Sequence, residues 1–153
     1  MPGKIETRLA DHGVTLPDAP APAANYVPTV QVGDIVYVSG QVSTNQDGFI
    51  KGRLGDDMSV EDGAAAARTC AINLLAQVRA ACGGDLDRLV RVLKLTGFVN
   101  SAPEFTDQPK VINGASDFLV EALGDAGRHA RSAVGAMLPL GCAVEIEGIF
   151  QVR

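Results

Sequence analysis

The sequence predicts an α+β fold, a mixed β-sheet with two helices packed on one face, and three observations predict it. Five stretches carry apolar residues at period 2 or in short unbroken runs, and two longer ones repeat them at three- and four-residue spacing. In chain order they read strand, strand, helix, strand, helix, strand, strand. A long helix between two strands makes a crossover whose flanking strands run parallel, while short turns elsewhere join antiparallel neighbours, so the sheet is mixed.

The 153 residues suit one domain, 1–153, large enough to bury a stable core. With 46% hydrophobic and 20% charged residues the composition is that of a globular protein, not a disordered one. The net charge of −5 is diffuse and opposes nucleic-acid binding, which needs a basic stripe. No segment approaches the roughly 20 apolar residues of a membrane span, and the N-terminus lacks the apolar run of a signal peptide, so no membrane contact is expected and the expected location is cytoplasmic. Cys70, Cys82 and Cys142 lack CxxC spacing, and His12 and His129 are too few for a histidine site, so no metal is expected.

Residues 4–12 read as a short helix closed by Gly13, and Pro17, Pro20, Pro22 and Pro28 make 17–28 an extended lead-in whose one aromatic residue is Tyr26. Asp34-Ile-Val-Tyr-Val-Ser39 is the first strong strand, ended by Gly40 and continuing through Gln41-Val-Ser43. Asn45-Gln-Asp-Gly48 signals a hairpin turn, with Phe49-Ile-Lys-Gly52 returning. Ser59-Val-Glu-Asp62 resembles a capping box opening a helix over 60–82, with Ala67, Cys70, Ala71, Leu74, Val78 and Ala81 along its buried stripe and Gly83-Gly84 ending it. The next strand is 89–99, with Val90, Val92 and Phe98 on one side and Leu93, Leu95 and Val99 on the other. A second helix runs from 106 or 108 to 123, burying Val111, Ala115, Phe118, Leu119 and Ala122. Gly114 costs it on the order of 1 kcal/mol against Ala, a concession that reads either as an accident of sequence, the plainer reading, or as the mark of a close backbone contact.

The C-terminal stretch, Arg131 to Glu147, reads as two strands around Leu138-Pro-Leu-Gly141. Val134, Ala136 and Leu138 share one side of the first and Arg131 and Ala133 the other. In the second, Val144, Ile146, Gly148, Phe150 and Val152 share one face, and Glu145, Glu147, Ile149 and Gln151 the other. Charges in apolar strands require a partner or water. Two readings stand on the residues alone: a sheet edge with solvated or ion-paired Arg131, Glu145 and Glu147, or a cleft in which Arg131 grips a substrate carboxylate and Glu145 handles a proton. The face not covered by helices is expected to be apolar in places, at Ile149, Val36 and Val38, which suggests that another subunit covers it.

These motifs resemble the RidA family, also called YjgF/YER057c/UK114, over roughly residues 24–152. The resemblance rests on Val32-Gly-Asp-Ile-Val-Tyr-Val-Ser-Gly-Gln41, on Phe98-Val99, and on Ala130-Arg-Ser132, Leu138-Pro139 and Val144-Glu-Ile-Glu147 in that order. It implies a divergent member with a chorismate-mutase-like fold, a homotrimer with clefts between subunits, no cofactor, and a small-molecule carboxylate as substrate. It implies hydrolysis of small reactive 2-imino acids, of the 2-aminoacrylate type, to 2-oxo acids and ammonia. Residue by residue, Arg131 matches the family's carboxylate-binding arginine and Glu145 the acid that activates water, with Glu147 on the same face as second candidate. Tyr26 matches the aromatic residue of the lead-in, Asn113 the cleft asparagine of the second helix, and Gly40 the backbone position bordering the ligand.

The chain departs from the family pattern at three places. Ala133 stands where many members carry Cys. The segment from Arg131 to Leu138 is one residue short, which implies a changed bulge or register. Residues 1–23 form an N-terminal extension that could reshape the cleft mouth. Two other functions compete: a non-catalytic small-carboxylate-binding protein using the same cleft, and the ribonuclease or translation-inhibitor (endoribonuclease L-PSP) activity attached to the family, which the acidic charge disfavours.

Overall fold

Strand β7, Val144–Val152, is the axis of the molecule. The computed structural model describes residues 2–153. In chain order its elements are α1 (Lys4–Asp11), β1 (Thr29–Val32), β2 (Ile35–Val42), β3 (Thr44–Asn45), β4 (Gly48–Phe49), α2 (Val60–Ala81), β5 (Leu89–Asn100), α3 (Gln108–Leu123), β6 (Ala130–Ala136) and β7. The main sheet has five strands in the order β1-β2-β7-β5-β6. β7 is antiparallel to both β2 and β5, so those two run parallel to each other across the α2 crossover, as the sequence predicts. β5 and β6 pair directly and in parallel around α3. Among the described residues no helix is long and apolar enough to cross a membrane.

Local chemistry accounts for the helices. Ser59 Oγ accepts the Asp62 N–H at 3.1 Å and caps α2, and Gly83 and Gly84 end it with positive φ. Gly114 sits where α3 crosses α2, and a Cβ there would overlap the Ala64 carbonyl, which explains the glycine in mid-helix. Both helices lie on one face of the sheet, over Val144, Ile146, Phe150 and Val152, the buried alternation expected of β7. At the N-terminus, Leu9, Val14 and Leu16 join the core. The Asp87 carboxylate takes the Lys4 and Ile5 N–H groups at 2.8 and 3.0 Å, an anion at a helix N-terminus; those two bonds hold its carboxyl below the usual range. Arg79 on α2 pairs with Glu6 at 2.6 Å and donates to the Pro17 carbonyl at 2.8 Å.

Four strand expectations need correction. Thr29–Val32 forms an edge strand that the proline-rich lead-in conceals, joined to β2 by a turn whose Gly33 has φ 60°. The Asn45–Gly48 turn does form, with the Asp47 N–H on Asn45 Oδ1 at 2.9 Å, but β3 and β4 make a small separate ribbon instead of adding to the main sheet. Val36 and Val38 pair with Phe150 and Gly148 and are therefore buried beneath the helices, not on the uncovered face. That face does carry Ile149, as expected, with its cross-strand neighbour Tyr37. In β5 a register shift between Val92 and Lys94 breaks the period-2 grouping: Val92 faces the helices together with Leu95 and Val99, while Phe98 turns away.

Candidate active site

Tyr26, Gly40 and Glu145 meet at one cavity of about 480 Å³. Its walls also include Pro20 to Ala23, Val42, Phe49, Pro139 and Leu140, so the lining is largely apolar. Glu145 reaches it because β7 alternates, placing Val144 and Ile146 in the core and Glu145 on the uncovered face, opposite Val42 on one side and Phe98 on the other. Gly40 lies in a bulge of β2, where Ser39 and Gly40 together face the single residue Glu147. The Glu145 side chain packs on its Cα: a Cβ at Gly40 would come within 2.9 Å of Glu145 Cδ and 3.0 Å of Oε2. Burial raises the carboxyl of Glu145 above its usual range, and the charge of Glu147 raises it further; among the described residues no hydrogen bond offsets either.

The cavity's N-terminal wall is tied down by buried amides. Gln77 Nε2 donates to the Pro20 carbonyl at 2.7 Å and approaches Gln41 Oε1 at 3.3 Å. The Tyr26 hydroxyl accepts the Ala23 N–H at 3.2 Å, and Ser39 Oγ donates to the Val27 carbonyl at 2.8 Å. Residues 20–23 thus form part of the cavity wall. On its other side Leu140 holds φ at 62°, a conformation that costs a non-glycine residue about 1–2 kcal/mol.

Arg131 and Asn113 form a second cluster. Arg131 Nη1 donates to Asn113 Oδ1 at 2.8 Å and to Ser116 Oγ at 3.1 Å, and Nη2 to the Pro109 carbonyl at 3.3 Å. All three acceptors belong to α3. The Nε–H and one Nη2–H have no acceptor among the described residues, so the cation is held from one side and keeps donors for an incoming anion. The missing residue between Arg131 and Leu138 leaves no irregularity in β6, which pairs with β5 without a shift from Ala130 to Ala136.

One chain does not bring Arg131 and Glu145 together. Arg131 lies beside Leu95 and so on the helix-covered side, whereas Glu145 lies beside Phe98 on the uncovered side, and β5 separates their strands. Two further polar residues escaped the sequence reading. Ser116, three residues after Asn113, and His129, two before Arg131, are hydrogen-bonded to each other at 2.9 Å. The spacing of Asn113 and Ser116 on one helix face was the available signal for the serine; the histidine carried none beyond its nearness to Arg131. Among the described residues no three His, Cys, Asp or Glu side chains are placed to hold a metal ion.

Comparison with known proteins agrees with this architecture. The family described as "YjgF/chorismate mutase-like, putative endoribonuclease" matches residues 6–146. Protein TCP17 of Trypanosoma cruzi is 48% identical over 154 residues, covering 99% of this chain and 96% of its own. The crystal structure of Atu1372 from Agrobacterium tumefaciens, a protein of unknown function, is 48% identical with a TM-score of 0.91, covering 97% of this chain and 92% of that one. A 2-iminobutanoate/2-iminopropanoate deaminase of Dermatophagoides farinae is 30% identical over 143 residues, covering 92% of this chain and 95% of its own. With its mixed sheet, its helices on one face and the signature running from Arg131 to Glu147, the chain belongs to the YjgF/RidA family and has that family's chorismate-mutase-like α+β fold.

Proposed function

We propose that this protein is an imine deaminase that hydrolyses small 2-imino acids to 2-oxo acids and ammonia. The observation that carries the reading is Arg131, fixed by three acceptors of α3 with donors left free. Two parallel N–H bonds from a guanidinium suit a planar carboxylate, and a charge-assisted bond of this kind contributes about 1.5–3 kcal/mol. That orients the substrate but leaves most of the barrier to water activation. Glu145, unpaired in an apolar cavity and raised in pKa, is suited to accept a proton from that water, a contribution of about 10²–10⁴-fold. The 30% identical deaminase supports the same reaction.

In the proposed reaction the water oxygen bonds to the imine carbon while Glu145 takes one of its protons. Glu145 passes that proton to the carbinolamine nitrogen, the C–N bond breaks as the C=O bond forms, and the hydroxyl proton goes to the Glu145 carboxylate, so that ammonia and the 2-oxo acid leave. In this reading the cleft is completed by a second copy, Arg131 of one serving Glu145 of the next in a homotrimer; the placement of the two residues on opposite faces of one chain supports it. The uncovered sheet face favours such packing: Val30, Tyr37 and Val134 are 51%, 48% and 45% exposed there.

The test is release of 2-oxo acid and ammonia from 2-aminoacrylate generated enzymatically in the assay. Wild-type protein should accelerate release and Arg131→Ala should abolish the acceleration. Equal rates for both would overturn the reading, and 2-oxobutyrate binding without turnover would leave a carboxylate-binding protein in its place.

A further inference from the structure

We infer that Ser116 and His129 are positioning residues that set the orientation of the Arg131 guanidinium. The inference rests on the carboxylate-anchoring role proposed for Arg131. The four groups form one hydrogen-bonded chain whose direction is fixed from its far end. His129 Nδ1 lies 2.6 Å from the Gly127 carbonyl oxygen, which can only accept, so Nδ1 carries the proton. In the neutral ring Nε2 is then an acceptor, and Ser116 Oγ, 2.9 Å away, donates to it. With its hydrogen committed, Oγ offers a lone pair to Arg131 Nη1 at 3.1 Å. Burial, more than the nearby Arg131 charge, holds the imidazole below its usual pKa, which favours the neutral ring the chain requires.

This arrangement removes freedom at each step. A lone helical serine can rotate and turn its hydroxyl back to the carbonyl one turn earlier. The imidazole is held at both nitrogens and denies Ser116 that alternative. Arg131 then meets two side-chain acceptors, Asn113 Oδ1 and Ser116 Oγ, three residues apart on α3, which fix the guanidinium plane. His129 leads directly into β6, so the strand that carries the arginine also carries the residue that sets its acceptor.

The experiment measures KM and kcat for imine hydrolysis, and Kd for 2-oxobutyrate, in wild type, Arg131→Ala, Ser116→Ala, His129→Phe and His129→Gln. Ser116→Ala and His129→Phe should each raise KM and Kd about 5- to 10-fold with kcat within about twofold. A protein carrying both Ser116→Ala and His129→Phe, measured alongside, should be no worse than either single variant, because both break one chain. His129→Gln, whose amide oxygen can replace Nε2 as acceptor, should restore wild-type KM. Wild-type KM and Kd in Ser116→Ala and His129→Phe, with Arg131→Ala inactive, would overturn the inference alone. Full activity in Arg131→Ala would instead overturn the role of Arg131 itself. A lowered melting temperature in these variants with no change in KM, or no rescue by glutamine, would mark a merely structural role and also overturn it.

Discussion

Gly40→Ala separates the chemistry of the cavity from the stability of the fold. The added Cβ would lie 2.9 Å from Glu145 Cδ, while carbon atoms rest about 3.5–4.0 Å apart, so the carboxylate must retreat by about 0.6 Å or more. The obstacle is the end of a flexible side chain on an open face, and Gly40 is not among the positive-φ glycines. The cost to folding should therefore stay within about 1 kcal/mol. Catalysis is less forgiving, since a displacement of about 1 Å can cost about 10²-fold. We expect kcat/KM for imine hydrolysis to fall about tenfold with an unfolding midpoint close to wild type. In a Glu145→Ala background, where nothing remains to be displaced, Gly40→Ala should change little. Wild-type kcat/KM in Gly40→Ala, or the same loss in both backgrounds, would refute the idea that Gly40 seats Glu145.

The remaining predictions concern charge and packing. The proposed reaction requires an ionised Glu145, so kcat/KM should fall as pH drops through a pKa above the usual carboxylate range. Glu147→Gln removes the second cause of that rise but not burial, and should shift the acid limb to lower pH without bringing it to an unperturbed value; an unmoved limb would discount their coupling. Gly114→Ala forces α2 and α3 apart at the Ala64 carbonyl, a strain of about 1–3 kcal/mol that exceeds the gain of about 1 kcal/mol in helix propensity. Its urea midpoint should fall, and a rise would contradict the close crossing.

The helices, their caps and the inward face of β7 were legible in the sequence because their signals are local. Ser59 and Asp62 are three residues apart, and the β7 alternation runs unbroken. What escaped is what neighbouring strands decide. Whether Val36 faces in or out depends on its pairing with Phe150, and the bulges of β2 and β5 change sides in ways that a count by twos does not register. β1 was hidden because its run of four residues, Thr29-Val-Gln-Val32, is short and directly follows the proline-rich lead-in, and its pairing with β2 is what identifies it as a strand. The family motifs pointed to Arg131, Asn113, Glu145, Gly40 and Tyr26, and the structure gathers them into two groups, one at each side of the sheet. The division itself was not readable, since register alone assigns Arg131 to the face of Leu95 and Glu145 to that of Phe98. The Ser116–His129 link spans a loop, and no sequence period reports it.

Complementation tests most directly the claim that one copy supplies Arg131 and another Glu145. Arg131→Ala and Glu145→Ala proteins, each with at most residual activity alone, are unfolded together in urea, refolded as a mixture and assayed for imine hydrolysis. In randomly mixed closed assemblies about a quarter of the interfaces would pair an intact arginine with an intact glutamate. The mixture should therefore recover activity approaching about a quarter of that of wild type refolded in the same way. Activity no greater than that of the separate variants, with mixed assemblies demonstrably formed, would contradict a shared cleft.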